Sequence, residues 1–104
     1  MKQPKPPFPY VRLTWLDAWS EDAWTKLKGY VIRDHRVETT GYLVAQTETM
    51  LLIAPTLAWD EAVDEWEACT MMGIPKGMLL GPMRTMKRAP KTEMGWDRTR
   101  AACG

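Results

Sequence analysis

The sequence lacks most of the residues from which catalytic and metal centres are built. It has one histidine, His35, and two cysteines, Cys69 and Cys103, in 104 residues. Two cysteines are too few for a disulfide-stapled scaffold and, with one imidazole, too few for a zinc site, so we expect two thiols. One histidine leaves little from which to build a nucleophile–base pair. Glycine-rich phosphate-binding motifs are also missing. The sequence therefore predicts a protein that is not an enzyme, with no catalytic residue, metal or cofactor.

Long hydrophobic runs are also missing. The longest apolar stretch spans residues 50–55, whereas a membrane-spanning helix needs about 20 residues. The N-terminal residues alternate proline with lysine and have no apolar core of the secretory kind. We therefore expect a cytoplasmic protein with no membrane partner.

The middle of the chain has no positive charge. Residues 37–74 contain seven acidic residues and no lysine or arginine, whereas both flanking segments are net positive. Such segregation can attract and orient copies of one protein. The alternative is an acidic face that is merely solvated. With a pI of about 7.8, the chain is less basic than most proteins that bind nucleic acid.

Tryptophan and methionine are abundant instead. Six tryptophans and eight methionines occur in this short chain. Indole rings are large, carry a donor that needs a partner, and are enriched at binding hot spots. Six are more than one small core can hide, so we expect at least one or two to contact another molecule.

The pattern of apolar residues predicts a mainly β protein. Residues 10–16 alternate apolar and polar side chains, residues 36–46 are rich in β-branched residues, and residues 50–54 are continuously apolar. Gly41 predicts a bulge or bend within the second of these strands. A short strand near Cys69, a tight turn at residues 73–77 and a last strand at 78–86 follow.

Two segments predict short helices. Ser20 is a good N-cap for a helix over residues 20–28. Trp59, Ala62, Val63 and Trp66 recur at helical spacing and predict an amphipathic helix near 58–68 with an acidic outer face.

These elements divide the chain into three parts. Residues 1–9, with four prolines, predict an extended arm. Residues 10–86 predict a single small barrel domain with the helical insertion. Residues 87–104 predict a loosely ordered tail, in which Trp96 is the only aromatic side chain.

The order of these elements resembles small SH3-like or Sm-like barrels, in which a Gly-x-Ile-Pro turn joins the last two strands. The segments Thr14–Ala18 (Thr-Trp-Leu-Asp-Ala) and Ile74–Met78 (Ile-Pro-Lys-Gly-Met) resemble a group of small bacteriophage proteins of unknown function. The resemblance covers roughly residues 10–80. It implies an intracellular protein of host takeover or counter-defence, located in the host cytoplasm, and carries over no catalytic residue.

These observations favour a non-catalytic, homo-oligomeric binding protein that sequesters a small anionic, nucleotide-like ligand. Aromatic rings would stack on the ligand and cations would hold its charge. The candidate ligand-binding residues are Trp15, Trp19, Arg33, Arg36, Tyr42, Lys76 and Arg84.

Two other functions remain open. In one, the protein inhibits a host protein through exposed tryptophans and the acidic helix; the candidate residues are Trp59, Asp60, Glu61, Asp64, Glu65 and Trp66. In the other, the barrel binds single-stranded nucleic acid on Trp15, Trp19 and Tyr42. The charge balance ranks nucleic acid behind the other partners.

Overall fold

The computed structural model describes residues 4–87, which form two antiparallel sheets. The first sheet has five strands in the spatial order β6-β3-β2-β1-β7, and the second is a hairpin of β4 and β5. The strands are β1 (Tyr10–Asp17), β2 (His35–Gln46), β3 (Met50–Ala54), β4 (Thr56–Asp60), β5 (Glu65–Cys69), β6 (Met72–Pro75) and β7 (Arg84–Thr85). The mainly β class is thus confirmed, although the sheets do not close into a barrel.

The alternation in β1 places one face of the first sheet in the core. Val11, Leu13 and Trp15 are buried, whereas Arg12 points to solvent. Arg12 donates two hydrogen bonds to the Glu38 carboxylate across the outer face, at 2.8 and 2.9 Å. This strand matches its sequence-based prediction because one of its faces is buried and the other is not.

The core has two parts. The larger cluster lies on the inner face of the first sheet and consists of Val11, Leu13, Trp15, Leu43, Leu51, Ile53 and Ile74. The smaller cluster joins that sheet to the base of the hairpin and is built on Tyr42, Ala54 and Leu57. The hairpin is therefore anchored at its base.

The β2–β3 hairpin matches the prediction, but its irregularity lies elsewhere. The register shifts between Leu43 and Ala45 rather than at Gly41. Gly41 instead lies in close contact with β3: a Cβ atom there would stand 2.5 Å from Ile53 Cγ2. Only glycine leaves room for this packing.

The C-terminal strands differ from their prediction. The predicted tight turn at 73–77 is instead β6 followed by a 3₁₀ turn at Lys76–Met78, with Ile74 fully buried. The predicted last strand at 78–86 is reduced to β7, because Pro82 lacks an amide hydrogen to donate to a ladder. Residue 79 still bridges Trp15, and β7 pairs with β1.

The predicted helix at 20–28 is wrong. Residues 18–34 form an irregular loop, and Trp24 and Leu27 on the expected apolar face are fully or largely exposed. A helix of nine residues is marginal without a surface to pack on, and these side chains have none. Gly29 does adopt the positive φ of +80° expected at a helix end, but here it serves a turn.

The predicted amphipathic helix near 58–68 is also wrong, because these residues form the β4–β5 hairpin. Trp59 lies directly opposite Trp66, and Leu57 lies opposite Ala68. A seven-residue spacing places two side chains on one helix face, but it also places them opposite each other across a four-residue turn. Asp64 closes that turn with a φ of 53°, and aspartate tolerates this region better than most residues.

The cysteine prediction is corrected at Cys69, which is disulfide-bonded rather than a thiol. The predictions for Cys103, for Trp96 and for the tail from residue 88 onwards lie outside the described residues, as do those for residues 1–3.

Candidate functional site

The β1–β2 loop carries two aromatic rings side by side. Trp19 and Tyr30 stack with ring centroids 6.5 Å apart and planes inclined by 28°. The Trp19 indole donates to the Arg33 carbonyl oxygen at 3.1 Å. The Tyr30 amide donates to the Leu27 carbonyl oxygen at 3.1 Å, which closes the turn that contains Gly29. The two ends of the loop are thereby held together, and the rings remain about two-fifths exposed.

These rings line an open cleft of about 620 Å³. Its wall consists of Trp19, Gly29, Tyr30, Val31, Arg33, Asp34 and His35. A cleft of several hundred Å³ with an apolar wall and a few polar groups is of the size that takes a small molecule. Exposed aromatic faces beside a guanidinium can bind a planar anion by stacking and by charge.

The charges around the cleft are unequally engaged. Arg36 lies 4.0 Å from the Asp34 carboxylate, whereas Arg33 makes no ion pair within residues 4–87. Partial desolvation, followed by the charge and hydrogen bond of Glu21, raises the pKa of Tyr30, so this phenol stays protonated. The cleft thus offers the Arg33 guanidinium and the exposed aromatic faces of Trp19 and Tyr30 to a ligand.

Two of the predicted ligand-binding residues belong to the core instead. Trp15 is buried and donates to Thr39 Oγ1 at 3.0 Å. Tyr42 is buried in the smaller core cluster, 5.0 Å from Tyr10 between ring centroids, and burial raises its pKa. Both are structural, because neither ring has a face left for a ligand.

Two more predicted residues lie away from the cleft. Lys76 follows β6 at one edge of the first sheet, where its amide donates to the Thr49 carbonyl oxygen. Arg84 lies on β7 at the other edge, opposite Arg12, beside a shallow groove of about 320 Å³. The structure therefore brings Trp19 and Arg33 together on the cleft wall and pairs Arg36 with Asp34 of that wall. Lys76 and Arg84 lie elsewhere, at the two edges of the first sheet.

The predicted partner-binding residues do lie together, on a hairpin rather than a helix. We call β4, residues 61–64 and β5 the acidic hairpin. The rings of Trp59 and Trp66 pack edge to face with centroids 5.3 Å apart. Asp60 lies directly opposite Glu65, and Ala62 donates its amide to the Asp60 carboxylate at 2.9 Å. Like charges opposed across a ladder destabilise it.

Sequence reasoning missed Tyr30, Gly29 and Asp34. His35, the exposed first residue of β2, also lies on the wall of the cleft. Tyr30 is eleven residues from Trp19, and the predicted helix between them concealed the stack. One sequence signal points to the Trp19–Tyr30 stack: the loop carries an aromatic residue near its start and a second one next to Gly29.

Within residues 4–87, no group of three or more histidine, cysteine, aspartate or glutamate side chains could hold a metal ion. The same part of the chain contains no helix of the length and apolarity needed to cross a membrane. No protein-family model, curated protein or solved structure matches the chain.

Proposed function

We propose that this protein is a non-catalytic, homo-oligomeric binding protein whose β1–β2 cleft sequesters a small, planar, anionic molecule of the nucleotide class. The observation that carries the proposal is the exposed Trp19–Tyr30 stack beside Arg33, which makes no ion pair in the part of the chain that the structure describes. A heterocyclic base would stack on the rings, and a phosphate would take the guanidinium.

The fold supports a relation to small curled barrels. The last strand, β7, returns to pair with the first, β1, which is how such a sheet begins to close. The larger core cluster covers the inner face of the first sheet, which leaves the β1–β2 loop, where the cleft lies, as the place for a ligand.

The resemblance to bacteriophage proteins would imply a role in host takeover or counter-defence, in the host cytoplasm. A nucleotide signal sequestered there would be withdrawn from the host. The disulfide at Cys69 weighs against this location, because such bonds rarely persist in a reducing cytosol.

The acidic hairpin favours a second candidate function. Its paired, half-buried indoles lie beside five carboxylates, which suits a basic protein surface. In that case the protein inhibits a host protein through the hairpin.

Thermal unfolding with cyclic nucleotides, linear nucleotides and single-stranded DNA tests the proposal. A ligand present at about a hundred times its dissociation constant adds roughly 2.7 kcal/mol to the free energy of unfolding. We expect a nucleotide to raise the midpoint, and Trp19→Ala or Arg33→Ala to abolish that rise.

Matched controls separate the cleft from general effects. Trp24→Ala removes an exposed indole outside the cleft, and Arg84→Ala removes a guanidinium at the edge of the sheet. Both should keep the nucleotide-induced rise. No rise with any nucleotide overturns the proposal in favour of a protein target, and a rise with DNA alone favours the nucleic-acid function.

A further inference from the structure

The β1–β2 loop exposes more apolar surface than its cleft accounts for. Trp24 is fully exposed, and Leu27, Val31 and Ile32 are 86%, 69% and 82% exposed. Single exposed apolar residues are ordinary, but several within one loop of a small protein mark an interaction surface.

The charge on this surface has one sign. Residues 23–33 contain Lys26, Lys28 and Arg33 and no acidic residue. The acids that precede this segment are engaged locally: Glu21 accepts from the Tyr30 hydroxyl at 3.4 Å, and Asp22 accepts from the Ser20 hydroxyl at 3.4 Å. The surface is therefore apolar with a basic rim, and we call residues 23–33 the basic loop.

The acidic hairpin complements the basic loop in charge and in exposed apolar surface. Residues 59–67 contain five carboxylates and no base. The Trp59 and Trp66 rings offer a half-buried aromatic surface between them, and Val63 at the turn is 58% exposed. A basic apolar surface and an acidic aromatic surface thus occur on one chain.

The two surfaces leave the first sheet at opposite ends. The loop begins after Asp17, which pairs with His35, whereas the hairpin follows Ala54, which pairs with Tyr42 opposite Tyr10. The seven residue steps of β1 from Tyr10 to Asp17 span about 23 Å. This separation favours contact between the loop of one copy and the hairpin of another.

We propose that the basic loop of one copy docks on the acidic hairpin of a second copy. Two copies arranged antiparallel would make this contact twice, with Trp24 and Leu27 against the Trp59–Trp66 pair and the lysines against the carboxylates. The inference rests on the homo-oligomer of the proposed function and names the surfaces that form it. It leaves Trp19 and Tyr30 to the ligand.

Complementary charge reversals test the contact. Lys26→Glu with Lys28→Glu makes the loop acidic, and Glu61→Lys with Glu65→Lys and Glu67→Lys makes the hairpin net basic. Each variant alone opposes surfaces of like net charge, so we expect its self-association to weaken by at least about tenfold in sedimentation equilibrium at low salt. Mixed in equal amounts, the two variants oppose unlike charges at both contacts and should associate as the wild type does.

A matched control carries the charge change of the loop variant away from both surfaces. Lys5→Glu with Lys87→Glu alters two exposed lysines and should leave association unchanged. Near-native circular dichroism of every variant shows that the sheets remain folded.

The outcomes separate this inference from the proposed function. If both charge-reversed variants self-associate as strongly as the wild type, or if their mixture stays monomeric, the docking contact alone is overturned. A wild-type chain that stays monomeric up to about 100 µM, far above typical specific affinities, overturns the oligomer and the contact together, and leaves a host protein as the occupant. Nucleotide binding by the loop variant is measured separately and tests only the cleft.

Discussion

Individual tryptophans in this protein occur in two different environments. Trp15 is 8% exposed, and its indole nitrogen donates to Thr39, so both its apolar and its polar requirements are met within the chain. Trp24 is fully exposed, and Trp19 is 44% exposed. These two indoles therefore lie outside the core, and their contact with another molecule stays a prediction.

The Thr39 hydroxyl should contribute measurably to stability. Thr39→Val removes the acceptor of the hydrogen bond that the buried Trp15 indole donates, so we expect the free energy of unfolding to fall by about 1 kcal/mol. Urea unfolding followed by tryptophan fluorescence measures this change.

Thr40→Val is the matched control, because Thr40 is exposed on the opposite face of the same strand. We expect its effect to stay within about 0.5 kcal/mol. Equal losses from the two substitutions would show that the indole does not depend on this hydrogen bond.

At the level of elements, the sequence was most informative where one face of a strand is buried. The predicted strand at 10–16 is observed at Tyr10–Asp17, that at 36–46 is observed at His35–Gln46, and the third matches Met50–Ala54. Period-two alternation and continuous apolar runs follow directly from burial, so they are visible without a structure.

The two predicted helices failed for different physical reasons. The segment after Ser20 has a good cap but no surface to pack on, which the sequence of the segment alone does not reveal. The segment from Trp59 to Trp66 has a spacing compatible with a helix and with a hairpin, and cross-strand packing of the indoles favours the hairpin. The cleft was predicted in part, since Trp19 and Arg33 line it, but Tyr30 was concealed by the first of these errors.

The like-charged pair of Asp60 and Glu65 should destabilise the acidic hairpin. Glu65→Lys converts the like-charged pair with Asp60 into an oppositely charged pair, so we expect the free energy of unfolding to rise by about 0.2 to 1 kcal/mol. The midpoint of urea unfolding at low salt measures this gain in stability. Added salt should reduce the difference in midpoint between the variant and the wild type.

Glu48→Lys makes the same change in charge in the exposed β2–β3 turn. We expect it to alter the midpoint less than Glu65→Lys does. If Glu65→Lys lowers the midpoint, the opposed carboxylates do not destabilise the hairpin, and they give no reason to seek a partner for it.

For the molecule as a whole, the first sheet separates two exposed surfaces of opposite charge. The basic loop and the acidic hairpin leave the sheet at opposite ends, and each combines charge of one sign with exposed or half-buried aromatic residues. Natural sequences depart from local optimisation chiefly where function requires it. We therefore expect other molecules to cover the exposed indoles of the loop when the protein functions.

Fluorine NMR of protein labelled with fluorotryptophan tests that claim most directly, with resonances assigned by Trp15→Phe, Trp19→Phe and Trp24→Phe. We expect the chemical shift of Trp24 to change as protein concentration rises, and that of Trp19 to change as nucleotide is added. The resonance of buried Trp15 should respond to neither. If the chemical shifts of Trp19 and Trp24 both stay unchanged in these titrations, the loop remains in water. That result contradicts the claim that other molecules cover its indoles.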